Sequence, residues 1–145
     1  RILMTTSPTG LYGNFGQTNY GAAKLAQVGF MNSLKIEGAK NNIHTNTIAP
    51  IAATRMTESL IPEAVHSKLA PESVTPAALF LVSEEAPNGV IMQAEGGRFS
   101  VASIVENTGA QLGVDATPED IASNYDMISD LEGAKPKGMM QINLP

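Results

Sequence analysis

The sequence predicts an α/β domain with about three short strands and flanking helices. Three observations carry that expectation. Short apolar, β-friendly runs stand at residues 2–6, 43–49 and 90–92. Helix-like stretches separate them, so the connections read as crossovers of a parallel sheet rather than hairpins. The chain has 145 residues, 43% of them hydrophobic and 16% charged, which is the profile of one folded domain rather than a disordered or fibrous chain.

Taken in order, residues 2–6 form a buried strand that stops at Ser7-Pro8. Residues 9–16 carry three glycines without periodicity and read as a loop. Residues 18–40 read as a helix whose apolar positions cover nearly every face, from Ala22 and Leu25 through Phe30, Leu34 and Ile36. Such a helix is expected to be covered on more than one side, and Asn41-Asn42 ends it. Residues 43–49 form a second strand closed by Pro50. Residues 52–70, with Pro62 and Pro71 as punctuation, read as short helices in a mobile loop. Thr75-Pro76 reads as an N-cap with proline at the first helical position, opening a helix to about Val82. Asn88-Gly89 is a turn before the third strand, and residues 99–105 are a candidate further strand. Thr117-Pro118-Glu119-Asp120 opens a capped helix with acid in its first turn, running to about Leu131.

Composition excludes several classes. Nine basic against fourteen acidic residues give a net charge of −5, against the basic stripe of a nucleic-acid binder. There is no cysteine, hence no disulfide framework or thiolate nucleophile. No apolar run approaches the roughly 18 residues of a membrane span. His44 and His66 are not in a metal-ligand pattern, and no metal is expected.

The chemistry-bearing pair is Tyr20 and Lys24, four apart on the long helix and so on one face. A phenol is a poor base, with an ordinary pKa of about 10, and an adjacent ammonium favours its ionised form. Together they make a proton-transfer device. Alone, this spacing is common as an aromatic ring packed by a lysine stem. Its surroundings add weight. Ser7 ends a strand upstream and offers a hydroxyl to the same substrate oxygen, and Asn46-Thr47-Ile48-Ala49-Pro50 follows the helix.

This order of Ser7, Tyr20-x-x-x-Lys24 and a strand ending at Pro50 resembles the catalytic half of the short-chain dehydrogenase/reductase family. Residues 11–20, Ala22-Ala23-Lys24, residues 43–50, Arg55-Met56-Thr57, Gly96-Gly97-Arg98-Phe99 and Thr117-Pro118-Glu119-Asp120 are similar to the 3-hydroxyacyl-CoA dehydrogenase subgroup found in type 2 peroxisomal multifunctional enzymes. The resemblance implies a partial Rossmann-like (doubly wound) domain. It implies that Tyr20 is the general acid/base, that Lys24 supports it and reaches the nicotinamide ribose, and that Ser7 holds the substrate oxygen. The backbone at Pro50, Ile51 and Ala53 would face the nicotinamide carboxamide, although Ile51 stands where the family commonly has glycine. Residues 52–70 would be the substrate loop, the cofactor NAD and the substrate a small molecule of the acyl-CoA class.

The same resemblance exposes a gap. The first βαβ units, which would cradle the adenosine and pyrophosphate, are expected to be absent from this chain. Gly10, Gly13 and Gly16 superficially resemble a nucleotide fingerprint, but their spacing is wrong and they precede the tyrosine. The asparagine of the family's tetrad has no matching position, since Asn46 lies on the later strand. With Arg1 opening directly on a strand core, the chain reads as the C-terminal half of a dehydrogenase domain with its extension over residues 1–131, followed by a flexible tail at 132–145. Two expectations follow: an NAD-dependent oxidoreductase, or a truncated, inactive chain that self-associates as a homo-oligomer through its uncovered helix. No nucleic-acid or membrane partner is expected. Ile142-Asn143-Leu144-Pro145 is no peroxisomal address, so cytoplasm is the default compartment.

Overall fold

The computed structural model describes residues 1–55, 57 and 62–140. They divide into two compact units, residues 1–102 and 103–145, each considered by itself.

The first unit is built on a four-stranded sheet. Its strands are β1 (Ile2–Thr5), β2 (Thr45–Ile51), β3 (Ile91–Glu95) and β4 (Arg98–Ala102), in that spatial order. β1, β2 and β3 run parallel, with Thr5 opposite Ile48 and Ala49 opposite Gln93, while β4 returns antiparallel to β3. The candidate strand at 99–105 is therefore present as β4, making one strand more than the three expected. Gly96 and Gly97, both at positive φ (51° and 84°), form the two-residue turn between β3 and β4, where a side chain would be strained.

Alternation along the strands sorts the core into two layers. Leu3, Ile48, Met92 and Ala94 face α3 (Thr75–Val82), where Ala77 and Leu81 complete the cluster. Met4 and Ile91 face α2 (Thr18–Glu37), against Val28 and Met31. β2, central and parallel, is buried from Thr45 through Ala49, as a strand covered on both faces should be. The start of the sheet is tied by side chains of β2 and its approach. Asn46, fully buried, donates to Pro87 O at 2.7 Å and accepts from Val90 N at 2.9 Å. His44 Nδ1 lies 2.7 Å from Ala86 O.

Three expectations change. Residues 9–16 are not all loop, because Pro8–Tyr12 form a short helix, α1. Ser7-Pro8 starts this helix rather than merely stopping a strand: Ser7 is extended (φ −159°), its hydroxyl accepts from Thr9 N, and Pro8 stands where no amide is needed. The long helix stops at Glu37, followed by a 3-10 turn at Ala39–Asn41 and by Asn42 in the left-handed region. A Cβ on Gly38 would lie 2.9 Å from Ile43 Cβ, so the chain turns tightly there. Thr75 does not cap α3; a 3-10 turn at Pro71–Val74 leads into it instead. Of the 52–70 loop, residues 56 and 58–61 lie outside the described residues, as do residues 141–145 of the expected tail. Glu63–Val65 is a 3-10 turn.

The second unit pairs β5 (Val105–Glu106) with β6 (Lys135–Pro136) antiparallel, so part of the expected tail forms a strand. Lys137 and Glu106 make a 3.0 Å ion pair there. Thr117 caps α4 (Pro118–Ser123) reciprocally with Asp120. The expected helix to Leu131 breaks at Asn124, whose side chain turns back to Asp120 O at 2.8 Å, and resumes as α5 (Tyr125–Ser129). Among the described residues of this unit none is buried. No helix of the described residues is long and apolar enough to cross a membrane.

Candidate active site

The parallel strands end on one side of the first unit, at Thr5, Ile51 and Glu95. In open α/β sheets the carboxyl ends of the strands are where ligands bind, and the candidate residues collect there. Ser7 lies two residues beyond β1 and is only 8% exposed. Its hydroxyl oxygen accepts from Thr9 N at 3.2 Å. That bond uses a lone pair and leaves the hydroxyl proton available to donate.

Tyr20 and Lys24 lie in the first turns of α2. The Lys24 ammonium sits 5.6 Å from the centroid of the Tyr20 ring, within cation–π range. It donates to Thr5 O, the last carbonyl of β1, at 3.0 Å. The lysine thus joins the tyrosine-bearing helix to the strand that leads into Ser7. Tyr20 is 43% exposed, which leaves it open to a ligand.

Two residues that the motif does not contain set this geometry. Thr6, almost fully buried, donates its hydroxyl to Lys24 O at 2.7 Å and ties the helix backbone to the strand end. Gly10 lets α1 lie against α2, since a Cβ there would stand 2.8 Å from Lys24 Cβ and 2.9 Å from Leu25 N. Gly10 is therefore a packing glycine inside a helix and not part of a phosphate-binding turn. Thr6 was legible only as another strand residue, and Gly10 only as one glycine of a false fingerprint.

Pro50 and Ile51 close β2 on the same side. The Ala53 N–H donates to Leu69 O at 2.7 Å, so its donor is engaged within the chain, and the expected contact to a carboxamide falls on the remaining groups of this stretch. Ala53 also borders a cleft of about 420 Å³ with Arg55, His66 and Pro71 on its walls. That is within the range of small-molecule sites. That cleft is walled by residues of the 53–71 stretch and by none of Ser7, Tyr20 or Lys24; what suits the nicotinamide end of a dinucleotide is the ammonium and phenol of α2 beside the end of β1.

Comparison with known proteins agrees with this fold. Residues 1–64 match the short chain dehydrogenase family. A short-chain type dehydrogenase/reductase of Mycobacterium tuberculosis is 48% identical over 95% of the chain. The structure of full-length peroxisomal multifunctional enzyme type 2 from Drosophila melanogaster superposes with a TM-score of 0.83 over 96% of the chain, at 35% identity, and the match covers 26% of that protein. A 3-hydroxyacyl-CoA dehydrogenase type-2 from Mycobacterium avium superposes over 68% of the chain and 43% of its own length, with a TM-score of 0.56 and 32% identity. The chain spans about half the length of the Mycobacterium tuberculosis relative (49%). Its fold is a partial Rossmann-like sheet, and the chain belongs to the short-chain dehydrogenase/reductase family.

Proposed function

We propose that this chain carries the proton-transfer part of an NAD-dependent oxidation of a secondary alcohol of the 3-hydroxyacyl-CoA class. The observation that supports it is the placement of Ser7, Tyr20 and Lys24 around one strand end, with the lysine reaching both the Tyr20 ring and Thr5 O. The 3-hydroxyacyl-CoA dehydrogenase name of a superposing structure supports the substrate class.

Ser7 donates its hydroxyl proton to the substrate oxygen and holds it beside the phenol. Tyr20, as phenolate, takes the proton from the substrate hydroxyl. The C–O bond gains its second bond as the hydrogen on the same carbon leaves with its electron pair. The nicotinamide, when bound, supplies the acceptor for that hydride. Lys24 stabilises the phenolate by its charge and offers donors to the nicotinamide ribose. In the reverse direction Tyr20 returns the proton to the carbonyl oxygen. Pro50 and Ile51 border the nicotinamide from the β2 side.

The test is NADH consumption with acetoacetyl-CoA. Saturable, protein-dependent turnover that is absent with an acyl-CoA lacking the 3-oxo group supports the reading, and turnover that survives Tyr20→Phe overturns it.

A second reading concerns assembly. The outward arc of α2 carries Ala22, Leu25, Ala26, Gly29, Phe30 and Ile36, all exposed, with Glu37 as the first charge on it. Solvated helix faces are normally charged, and an exposed apolar face of this kind marks an association site. The occupant we infer is a second copy of this chain. A monomer by sedimentation equilibrium would refute this, and Phe30→Glu is expected to weaken the dimer.

A further inference from the structure

The short helix α1 poses a problem of its own. It has five residues, and helices of that length do not persist in water without outside support. Its first residue follows Ser7, so whatever holds α1 also holds the hydroxyl proposed to bind substrate. Three supports are visible. At the start, Ser7 O accepts from Gly10 N at 2.9 Å and from Leu11 N at 3.2 Å, while the Ser7 hydroxyl caps Thr9 N through a long 3.2 Å bond. In the middle, Leu11 packs against the Val28–Met31–Ile91 cluster, and Gly10 fits against Lys24. At the far end, Gln93 Nε2 on β3 donates to Tyr12 Oη at 2.9 Å.

The third contact spans 81 residues of sequence and connects the end of α1 to the strand farthest from Ser7 among the three parallel ones. Gln93 is opposite Ala49, and Ala49 follows Ile48, which is opposite Thr5. Gln93 therefore stands in the same layer of the sheet as Thr6, just below the strand ends that border the site. Tyr12 is 66% exposed, so its ring adds little burial, and what it contributes is the directional bond to Gln93.

We propose that Tyr12 and Gln93 are positioning residues: their hydrogen bond locks the far end of α1 to β3 and thereby holds Ser7 in place for the substrate oxygen. Neither residue touches the reacting atoms. α1 becomes a short strut, about 7.5 Å long at 1.5 Å per residue, pinned at both ends across the carboxyl edge of the sheet. A loss of the far pin lets the strut tilt about its packed middle and moves Ser7. A displacement near 1 Å of a positioning group is enough to lower a rate as much as about a hundredfold.

This inference rests on the proposed role of Ser7, and the experiment separates the two. Amide hydrogen exchange is measured by NMR on the full chain and on Tyr12→Phe, Gln93→Leu and Gln93→Glu, together with kcat and KM for acetoacetyl-CoA reduction. Tyr12→Phe and Gln93→Leu should lower the protection of the Gly10, Leu11 and Gly13 amides about fivefold, the worth of one ordinary hydrogen bond. The Thr47 amide, bonded to Val90 O across β2 and β3, should keep its protection. In turnover the same two variants should lose about tenfold in kcat with KM nearly unchanged. Gln93→Glu removes the amide donor but offers a carboxylate that accepts the phenolic proton, so the bond re-forms in the reverse sense and should restore most of both. Unchanged protection in α1, or Gln93→Glu as impaired as Gln93→Leu, overturns the inference. If Ser7→Ala abolishes turnover while Tyr12→Phe leaves kcat intact, the inference fails alone. If Ser7→Ala leaves turnover intact, or the unsubstituted protein has none, the reading of the site fails and the pair has no catalytic serine to position.

Discussion

Removing the Asn46 amide should cost the first unit a large share of its stability. Asn46→Ala deletes a donor 2.7 Å from Pro87 O and an acceptor 2.9 Å from Val90 N. A third contact, to Leu81 O at 3.4 Å, is too long to add much. Two backbone groups then lose their side-chain partner, and an orphaned buried group costs about 1–3 kcal/mol. Asn46 is fully buried, but the turn it holds is partly exposed, so water can reach the Pro87 carbonyl more readily than the Val90 amide. We therefore take the lower end for the carbonyl and the middle for the amide, about 3 kcal/mol together. Against a usual domain stability of about 5–15 kcal/mol, that is severe. With about 2.1 cal/mol/K of unfolding entropy per residue, a unit of residues 1–102 should melt roughly 14 °C lower. Urea and thermal unfolding followed by far-UV circular dichroism measure both quantities. A loss below about 1 kcal/mol would refute the assignment of Asn46 as the hub that joins β2 to the turn before β3.

The other expectations are simpler to state. Thr47 Oγ1 is buried without a hydrogen-bond partner among the described residues, so Thr47→Val should leave stability unchanged or raise it by about 1 kcal/mol; a clear loss in urea unfolding would reveal a bond to that hydroxyl. Gly10→Ala places a Cβ against the Lys24 Cβ and the Leu25 backbone, and overpacking of this kind costs about 1–3 kcal/mol, read by the same assay. In the second unit the Thr117 backbone N–H, and then the Thr117 hydroxyl, hold the Asp120 carboxyl below the ordinary aspartate range, with a small opposing effect of desolvation. A carboxyl lowered on folding lends its support above the unfolded pKa and loses it as pH falls through the folded one. The start of α4 should therefore fray only in acid, with the Asp120 side-chain carbon titrating lower by NMR than in Thr117→Ala.

The legible part of the site was the part written locally. Tyr20 and Lys24 are one helical turn apart, and their spacing alone puts them on a common face, as the 5.6 Å contact bears out. Thr117-Pro118 with Asp120 is a complete local capping signal, and the structure has that cap. Ser7-Pro8 carries the same kind of signal, yet the glycines after it obscured a helix held by tertiary contacts rather than by propensity. Thr75-Pro76 misled in the opposite sense, because a preceding 3-10 turn supplies the helix start. Thr6, Gly10, Asn46 and Gln93 could not be read in advance for a common reason. Each acts on a group far along the chain, and an isolated threonine, glycine, asparagine or glutamine has no periodicity to betray its partner. Glycine spacing misled for a similar reason, since a close helix–helix approach and a phosphate-binding turn demand the same residue.

The proposed chemistry stands most directly on the phenolic proton of Tyr20. Acetoacetyl-CoA reduction by Tyr20→Phe, compared with the unsubstituted protein at saturating NADH, isolates that proton while keeping the ring that faces Lys24. A positioned acid–base group contributes about 10²–10⁴ in rate, so turnover should fall by at least about a hundredfold with NADH affinity, followed by its fluorescence, nearly unchanged. Turnover within a few-fold of the unsubstituted protein would contradict the assignment of Tyr20 as the proton-transfer group.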